Sequence, residues 1–300
     1  MPSVPIGNVH FHYDRAGSGA PVVFVHGGFA TLARTLAGSE WSWDTWEQTL
    51  AARFDFMTYD RRGCGRSWCP ETGFDLENQA RDLAALLDQL KVDSAHVVGS
   101  SAGGPISIVF AATYPDRVRS LSLAGTGTQL FPPGDGVTET IQAQIAALKE
   151  LGADAAFDSR PAGVEAWYET LWRREEAEAR GTLADYLENE ERLTDRAGRV
   201  PRDVRVHYHA AELRNIGAYF DFDVASCAKQ LAVRTLVLHG ADDRIVSPQS
   251  GRDLAAAIPG AELCELVGIG HSALQTSPEA MDLLIEFIEA GEQAHPGGIT

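Results

Sequence analysis

A serine between small residues has the spacing of a nucleophile. In Gly99-Ser100-Ser101-Ala102-Gly103, Ser101 has a glycine two positions before it and another two positions after it, which Ser100 lacks. A nucleophile on a sharp strand-to-helix turn needs small residues at those offsets to avoid the neighbouring backbone. The N–H groups that open the next helix would face developing negative charge. The alternative is a glycine- and serine-rich turn without chemistry, so the rest of the sequence must decide.

A base and an acid follow Ser101 in the chain. His271 lies in a glycine-flanked loop between a late strand and the last helix, and Asp242 and Asp243 both follow a strand predicted at 233–239. A serine nucleophile is activated by a histidine that a carboxylate holds in place, so either aspartate can complete such a triad. The chain order serine, aspartate, histidine is that of one known arrangement of these groups.

The elements that must position these residues alternate between strands and helices. Apolar runs at 21–26 and 54–59 predict strands buried on both faces, and a run at 9–13 predicts an edge strand. Apolar residues at helical spacing predict a helix over 75–90 with Asp75 as its N-cap. Further strands are predicted at 95–98, 118–124, 233–239 and 263–267, and helices at 103–114 and 278–289. The pattern predicts an α/β fold with a mostly parallel, doubly wound sheet between helices.

This alternation stops between residues 127 and 228, a range called the cap below. Helices are predicted there at 138–151, 164–180 and 183–193. We therefore predict a core formed by residues 1–126 and 229–300, with the helical cap inserted between its two parts. Because the cap leaves the core after the strand that follows the nucleophile's helix, it should lie over the active site.

Four motifs together resemble the α/β-hydrolase fold superfamily over residues 6 to 290. They are His26-Gly27-Gly28 after the third strand, the segment Tyr59 to Ser67, the elbow Gly99 to Gly103, and Gly240 to Pro248 with Gly270-His271. The resemblance implies a serine-nucleophile hydrolase with a helical cap domain. It also implies that the catalytic residues are Ser101, Asp243 and His271. Asp243 is preferred to Asp242 because the family's acid lies three residues after a glycine, here Gly240.

The resemblance further implies an oxyanion hole. One donor is the backbone N–H of Ala102, the residue after the nucleophile. The other is the N–H of Gly28, with that of Phe29 as the alternative. His26 is expected to brace this loop rather than to act as a base, and structural roles are expected for Asp60, Arg62 and Ser67.

The type of nucleophile narrows the chemistry. Relatives with aspartate at this position act on epoxides or carbon–halogen bonds, and Ser101 argues against both. We therefore predict a hydrolase of a small-to-medium apolar ester, lactone or thioester that forms an acyl-enzyme on Ser101. A C–C bond hydrolase or an aminopeptidase with the same triad is the alternative, although Phe29-Ala30 departs from the proline-glycine of the related aminopeptidases. A catalytically silent ligand receptor is the alternative outside enzymes.

Aromatic residues offer candidates for the substrate pocket. Phe29, Trp167 and Trp172 are predicted to bind substrate, and the cluster Trp41, Trp43 and Trp46 either shapes the pocket or begins a helix on the sheet. His207 and His209 lack a carboxylate frame, so neither a metal nor another cofactor is predicted.

The charge balance excludes several classes of protein. The 300 residues include 42 acidic and 25 basic ones, a net charge of −17, which disfavours nucleic acids and anionic membranes as partners. No secretory signal or spanning segment is visible, and the four cysteines form no metal pattern, so a cytoplasmic protein acting on a small molecule is expected. A homo-oligomer is compatible with this sequence. The cap holds 19 acidic and 11 basic residues, which should disfavour anionic substrates.

Overall fold

The computed structural model describes residues 2–29, 45–131, 133–134, 136–160, 181, 183–184, 187–188, 198–220 and 222–294. The strands are β1 (Ser3–Ile6), β2 (Val9–Ala16), β3 (Pro21–Val25), β4 (Asp55–Tyr59), β5 (Ala95–Ser100), β6 (Val118–Ala124), β7 (Thr235–Gly240) and β8 (Glu262–Leu266). The helices are α1 (Thr45–Ala51), α2 (Leu76–Gln89), α3 (Gly103–Thr113), α4 (Gly136–Leu151), α5 (Ala153–Asp158), α6 (Arg202–Gly217), α7 (Val224–Ala228), α8 (Pro248–Ala257), α9 (Ala273–Thr276) and α10 (Pro278–Ala294).

The strands form one eight-stranded sheet in the order β1-β2-β4-β3-β5-β6-β7-β8. Strands β1 and β2 pair antiparallel, β2 joins β4 antiparallel, and all remaining pairs are parallel. This arrangement confirms the predicted mostly parallel sheet. The carboxyl ends of β5, β7 and β8 lie on the same side of the sheet, so the loops after them can bring Ser101, Asp243 and His271 together.

The strand β1 was not predicted, and it takes the edge position expected for the run at 9–13. Its four residues include Pro5 and alternate between exposed and half-buried, so they lack an apolar run. A turn at Gly7, with φ +60°, folds β1 back so that Ile6 faces Val9. Glycine permits this left-handed backbone without steric cost.

Both faces of the sheet are buried under helices. Alternate strand residues point to opposite faces, so Val23 and Met57 pack with α2 and α3, whereas Val22 and Phe56 pack with α10. Asp75 caps α2 as predicted, because its carboxylate accepts the N–H of Asn78 at 2.8 Å. This two-sided core explains why the central strands are apolar along their whole length.

The described residues between β6 and β7 contain helices and no strand. Helices α4, α5 and α6 enclose a small apolar cluster of their own, formed by Phe131, Ile141, Ile145, Ala156, Leu213 and Ile216. A helical insertion is therefore plausible, while the boundaries of the cap remain a prediction. The helix predicted at 164–180 lies outside the described residues, as does most of the one predicted at 183–193.

Several of the described helices were not predicted, and the two longest of them, α6 and α8, lack a clean apolar stripe. In α6 the buried side includes the polar side chains His209, Glu212 and Asn215, so its apolar residues do not form a single face. In α8 the buried residues are only Gly251 and Leu254. None of the described helices combines the length and the apolar character that a membrane span requires.

Candidate active site

Ser101 lies at the sharp turn between β5 and α3 with a left-handed backbone. Its φ is +49°, which is unusual for a residue other than glycine. Its N–H donates to the carbonyl of Ala124 on β6 at 2.9 Å. Its carbonyl accepts the N–H of Gly104 at 2.9 Å and the hydroxyl of Thr126 at 2.8 Å. These three bonds hold the strained turn, whose geometry is that of a nucleophile elbow.

Glycines let two backbone segments approach this turn closely. A Cβ placed on Gly103 would lie 2.0 Å from the carbonyl oxygen of Val25, and one on Gly27 would lie 2.7 Å from Cβ of Ser101. Neither position can hold a larger residue without a backbone shift. The loop after β3 therefore lies directly against the serine.

The second half of the site is a buried pair between Asp243 and His271. Nδ1 of His271 lies 2.8 Å from Oδ2 of Asp243, and the two residues are 8% and 4% exposed. Oδ1 of Asp243 accepts the backbone N–H groups of Ile245 and Val246, each at 2.9 Å. The neighbouring Asp242 is exposed. Of the two aspartates left open by the sequence, Asp243 is the one that contacts the histidine.

Hydrogen bonds keep the Asp243 carboxylate ionised despite its burial. Burial by itself would raise the pKa of this carboxyl. The hydrogen bonds from His239 and His271, the charge of His271 and the N–H of Val246 outweigh it and lower the pKa to about 2. An ionised carboxylate only accepts hydrogen bonds, so Nδ1 of His271 carries the proton and Nε2 holds the basic lone pair.

His271 and Ser101 both approach the end of β6. The carbonyl of Ala124 accepts the Ser101 N–H, and the next residue is Gly125, with φ +55°. A Cβ on Gly125 would lie 2.9 Å from the carbonyl oxygen of His271 and 3.4 Å from its Nδ1. A single glycine thus separates the histidine from the strand end that anchors the elbow.

The two predicted oxyanion donors lie on the two segments that flank Ser101. Ala102 is 1% exposed and precedes α3, and Gly28 has φ +72° in the loop after β3. In the same loop, Nε2 of His26 accepts the backbone N–H of Arg61 at 3.2 Å, which places the ring proton on Nδ1, 2.7 Å from the carbonyl of Gly27. His26 therefore connects this loop to the end of β4, as a bracing residue would.

The segment after β4 is held by its own polar contacts. Asp60 accepts the backbone N–H and the Nε of Arg66 at 2.9 and 2.7 Å, and the Ser67 hydroxyl donates to the Asp60 carbonyl at 2.6 Å. Arg62 forms a bidentate pair with Asp82 at 2.8 and 2.7 Å. These contacts fit the structural roles expected for Asp60, Arg62 and Ser67.

Four residues near the site were not recognised in the sequence. Thr126 binds the Ser101 carbonyl, His239 approaches Asp243 at 3.2 Å, the guanidinium of Arg61 donates to the Gly28 carbonyl, and the Tyr219 hydroxyl donates to the Ala102 carbonyl at 2.6 Å. Arg61 lies inside the recognised segment Tyr59 to Ser67 and His239 directly precedes the one that begins at Gly240, which was the available signal. Thr126 and Tyr219 reach the site only through folding.

An aromatic wall borders the oxyanion loop. The ring of Phe29 lies 5.7 Å from that of Phe131 and 5.2 Å from that of Tyr219, and Phe131 stacks on Phe220 at 5.0 Å. Phe29, predicted to bind substrate, therefore joins cap aromatics beside the site.

Of the tryptophans considered for the pocket, only Trp46 lies among the described residues. Trp167 and Trp172 lie outside the described residues, as do Trp41 and Trp43. Trp46 lies in α1 and packs between Phe24 and Phe56, with centroids 4.8 and 6.2 Å away, so it belongs to the core.

Other polar groups offer little for a metal or cofactor. Over the described part of the chain, no three histidine, cysteine, aspartate or glutamate residues are arranged to hold a metal ion. His207 contacts the carbonyl of Cys69 at 3.1 Å and His209 contacts Gln144 at 3.4 Å. Cys64, Cys69, Cys227 and Cys264 are not joined by disulfide bonds.

Known proteins resemble this chain over most of its length. It is 29% identical over 262 residues to the protein named "Putative carbamate hydrolase RutD" of Caulobacter segnis, covering 86% of this chain and 90% of that protein. It is 29% identical over 290 residues to the non-heme chloroperoxidase of Streptomyces lividans, with 91% and 92% covered. The solved structure of Est816, an N-acyl homoserine lactone degrading enzyme, is 26% identical with a TM-score of 0.66, covering 96% of this chain and 100% of that one.

Residues 20–278 match the family described as the alpha/beta hydrolase fold. The mostly parallel eight-stranded sheet with flanking helices agrees with that match. The chain belongs to the alpha/beta hydrolase fold family, which confirms the resemblance drawn from the four motifs.

Proposed function

We propose that this protein is a serine hydrolase that cleaves a small-to-medium apolar ester or lactone through an acyl-enzyme on Ser101. The observation that carries the proposal is the strained Ser101 turn set beside a buried Asp243–His271 pair. A serine held at φ +49° by three hydrogen bonds has a cost that a plain loop would not bear. A carboxylate that orients a histidine is the usual partner of such a serine.

The proposed reaction uses each of these groups once. Nε2 of His271 takes the proton of the Ser101 hydroxyl while Oγ attacks the substrate carbonyl carbon, and Asp243 stabilises the imidazolium that forms. The N–H groups of Gly28 and Ala102 bind the oxyanion. The tetrahedral intermediate then collapses, and His271 returns its proton to the leaving oxygen. A water molecule, activated by His271, hydrolyses the acyl-enzyme in the same way.

Two features support an apolar acyl group and a cyclic or linear ester. The rings of Phe29, Phe131 and Tyr219 offer an apolar surface next to the oxyanion loop. Est816 is described as degrading N-acyl homoserine lactones, which combine a lactone with an apolar chain. A carbamate, the substrate class in the name of the Caulobacter segnis relative, also has a carbonyl carbon that a serine can attack, so the proposed chemistry would extend to it.

The test pairs covalent labelling with turnover. The wild type should react with a fluorophosphonate and hydrolyse p-nitrophenyl butyrate and an acylated lactone, and Ser101→Ala should do neither. Ser100→Ala is the matched control because it removes the adjacent hydroxyl, and it should still be labelled. Labelling without ester or lactone hydrolysis would favour the C–C hydrolase or aminopeptidase alternatives. Absence of labelling in the wild type would contradict the proposal and favour a silent receptor.

A further inference from the structure

Arg61 is a buried cation behind the loop that carries Gly28. It follows β4 directly and is 1% exposed. Its backbone N–H donates to His26, and its Nη2 donates to the carbonyl oxygen of Gly28. Both ends of this residue therefore hold the loop that is proposed to supply one oxyanion donor.

The guanidinium of Arg61 has no carboxylate partner among the described residues. Nη1 donates to Oε1 of Gln79 at 2.9 Å and makes a longer 3.4 Å contact with the Tyr219 hydroxyl, and both acceptors are neutral groups. Its Nε has no hydrogen-bond partner. A buried charge without a counter-ion is costly, so its presence calls for a reason.

The two other arginines of this segment are both paired with carboxylates. Arg62 is paired with Asp82 at 2.7 Å, and Arg66 is paired with Asp60 and Asp14, each at 2.7 Å. Of the three, Arg61 is the one that donates to the carbonyl of Gly28, and no carboxylate among the described residues pairs with it. Burial opposes its charge, yet electrostatic interactions with Tyr219, Cys64 and Tyr59 and the hydrogen bond to Tyr219 leave the pKa of Arg61 above its ordinary value.

Tyr219 extends the reach of Arg61 to the other side of the hole. Its hydroxyl donates to the carbonyl of Ala102 at 2.6 Å, and Nη1 of Arg61 approaches the oxygen of that Tyr219 hydroxyl. Arg61 thus contacts Gly28 directly and Ala102 through one hydroxyl. Tyr219 follows α6, so this bridge also ties the cap region to the elbow.

We propose that Arg61 is an electrostatic positioning residue of the oxyanion hole. It orients the hole through Gly28 and Tyr219, and its positive charge favours the anion that the hole binds. The proposal rests on the proposed serine hydrolase function. Fixed cations and dipoles in a site that excludes water stabilise charge that develops in the transition state. An unpaired cation retains this field, whereas a carboxylate partner would cancel most of it.

The test measures the charge of a tetrahedral adduct directly. An aryl-alkyl trifluoromethyl ketone adds to the serine: the Oγ–C bond forms, the carbonyl electron pair moves to oxygen, and the Ser101 proton passes to His271. The pKa of the resulting hemiketal hydroxyl is then read by fluorine NMR. Arg61→Met should raise it by at least one unit relative to the wild type and lower kcat about 30-fold with KM changed less than threefold. Arg61→Lys, which keeps the charge, should restore most of the wild-type hemiketal pKa and most of the wild-type kcat.

Arg62→Met is the matched control, since it removes an adjacent arginine that is already paired. It should leave the hemiketal pKa within about 0.3 unit of the wild type. If Arg61→Met does not fold, Tyr219→Phe breaks the bridge and keeps the ring, and it should raise the pKa by a smaller but measurable step.

Two negative results are distinguishable. A wild type that forms no adduct and takes no fluorophosphonate overturns the proposed function and this proposal with it. A wild type that forms the adduct, with an unchanged hemiketal pKa in the folded Arg61 or Tyr219 variant, overturns this proposal alone.

Discussion

Nε2 of His239 lies 3.2 Å from Oδ2 of Asp243, the same oxygen that Nδ1 of His271 approaches at 2.8 Å. His239 is the second-last residue of β7 and is fully buried. Its Nε2 also contacts the carbonyl of Val246 at 2.9 Å. The Asp243 carboxylate and the Val246 carbonyl are both acceptors, so Nε2 of His239 carries the proton. Asp243 is therefore held by His239 from β7 as well as by His271 from the loop after β8.

Removing the His239 hydrogen bond should leave Asp243 in place but hold it less firmly. His239→Phe removes one hydrogen bond to a buried charge, which is worth about 1.5–3 kcal/mol, and we expect a loss of that size in the free energy of unfolding. We expect kcat to fall about tenfold because Asp243 is less well held. His96→Phe is the control: that equally buried strand histidine binds Ser120 and Glu292, so it should lower stability without a specific effect on kcat. Equal effects of the two variants on kcat would contradict the prediction.

Replacing each aspartate of the pair should separate their roles. Asp243→Asn should lower kcat by about 10³–10⁴, because the amide cannot hold the tautomer with the proton on Nδ1 of His271. Asp242→Asn should change kcat less than about twofold, since Asp242 is exposed and Asp243 is the aspartate that contacts His271. Steady-state hydrolysis of p-nitrophenyl butyrate measures both. A larger loss in Asp242→Asn would assign the acid to Asp242 instead.

Acid should remove a stabilising contribution of Asp243. The pKa of its carboxyl is about 2 in the folded protein and 3.8 ordinarily, so the unfolded state binds more protons in that interval. The contribution is fully present above pH 4–5 and is lost as the pH falls through the interval toward 2. Its size is about 2 kcal/mol. The advantage of the wild type over Asp243→Asn in urea unfolding should therefore shrink between pH 5 and pH 2.5, and a constant or growing difference would refute this assignment.

A methyl group on Gly27 should disable the site while leaving the core intact. Its Cβ would lie 2.7 Å from Cβ of Ser101, so the serine or the oxyanion loop must move. A displacement of about 1 Å costs about 100-fold in rate, and we expect Gly27→Ala to lose at least that in kcat. Gly136→Ala places a methyl group where no atom lies within 4 Å and should keep full activity. Unchanged kcat in Gly27→Ala would show that the loop is not pressed against the nucleophile.

The acidity of the cap should select against negative charge in the substrate. Because residues 127–228 carry 19 acidic and 11 basic residues, matched anionic and neutral esters should differ in kcat/KM by about tenfold at low salt, in favour of the neutral one. The difference should fall as salt screens the field. Equal values at low salt would place the acidic surface away from the entrance.

Much of the core was predictable because its physics is local. The strand Val118–Ala124 was predicted with the bounds that it has, and the bounds of α2 agree to within one residue, because a continuous apolar run and an N-cap aspartate act within one element. In contrast, the four-residue β1 pairs with β2 and packs Val4 and Ile6 against the core, and α6 buries polar side chains, so neither has a clear apolar period of its own.

The sequence by itself determined the family, the sheet and the order of the candidate triad, because each depends on residue types at fixed spacing along the chain. It left Asp242 and Asp243 both open until the resemblance favoured one. Only the tertiary structure shows Asp243 against His271, Thr126 on the Ser101 carbonyl, and Arg61 joined to Ala102 through Tyr219. Arg61 and Tyr219 are separated by 158 residues, and no periodicity in the chain encodes a contact at that separation. Such contacts form only when the chain folds and brings the segment after β4, which holds Arg61, against the segment after α6, which holds Tyr219.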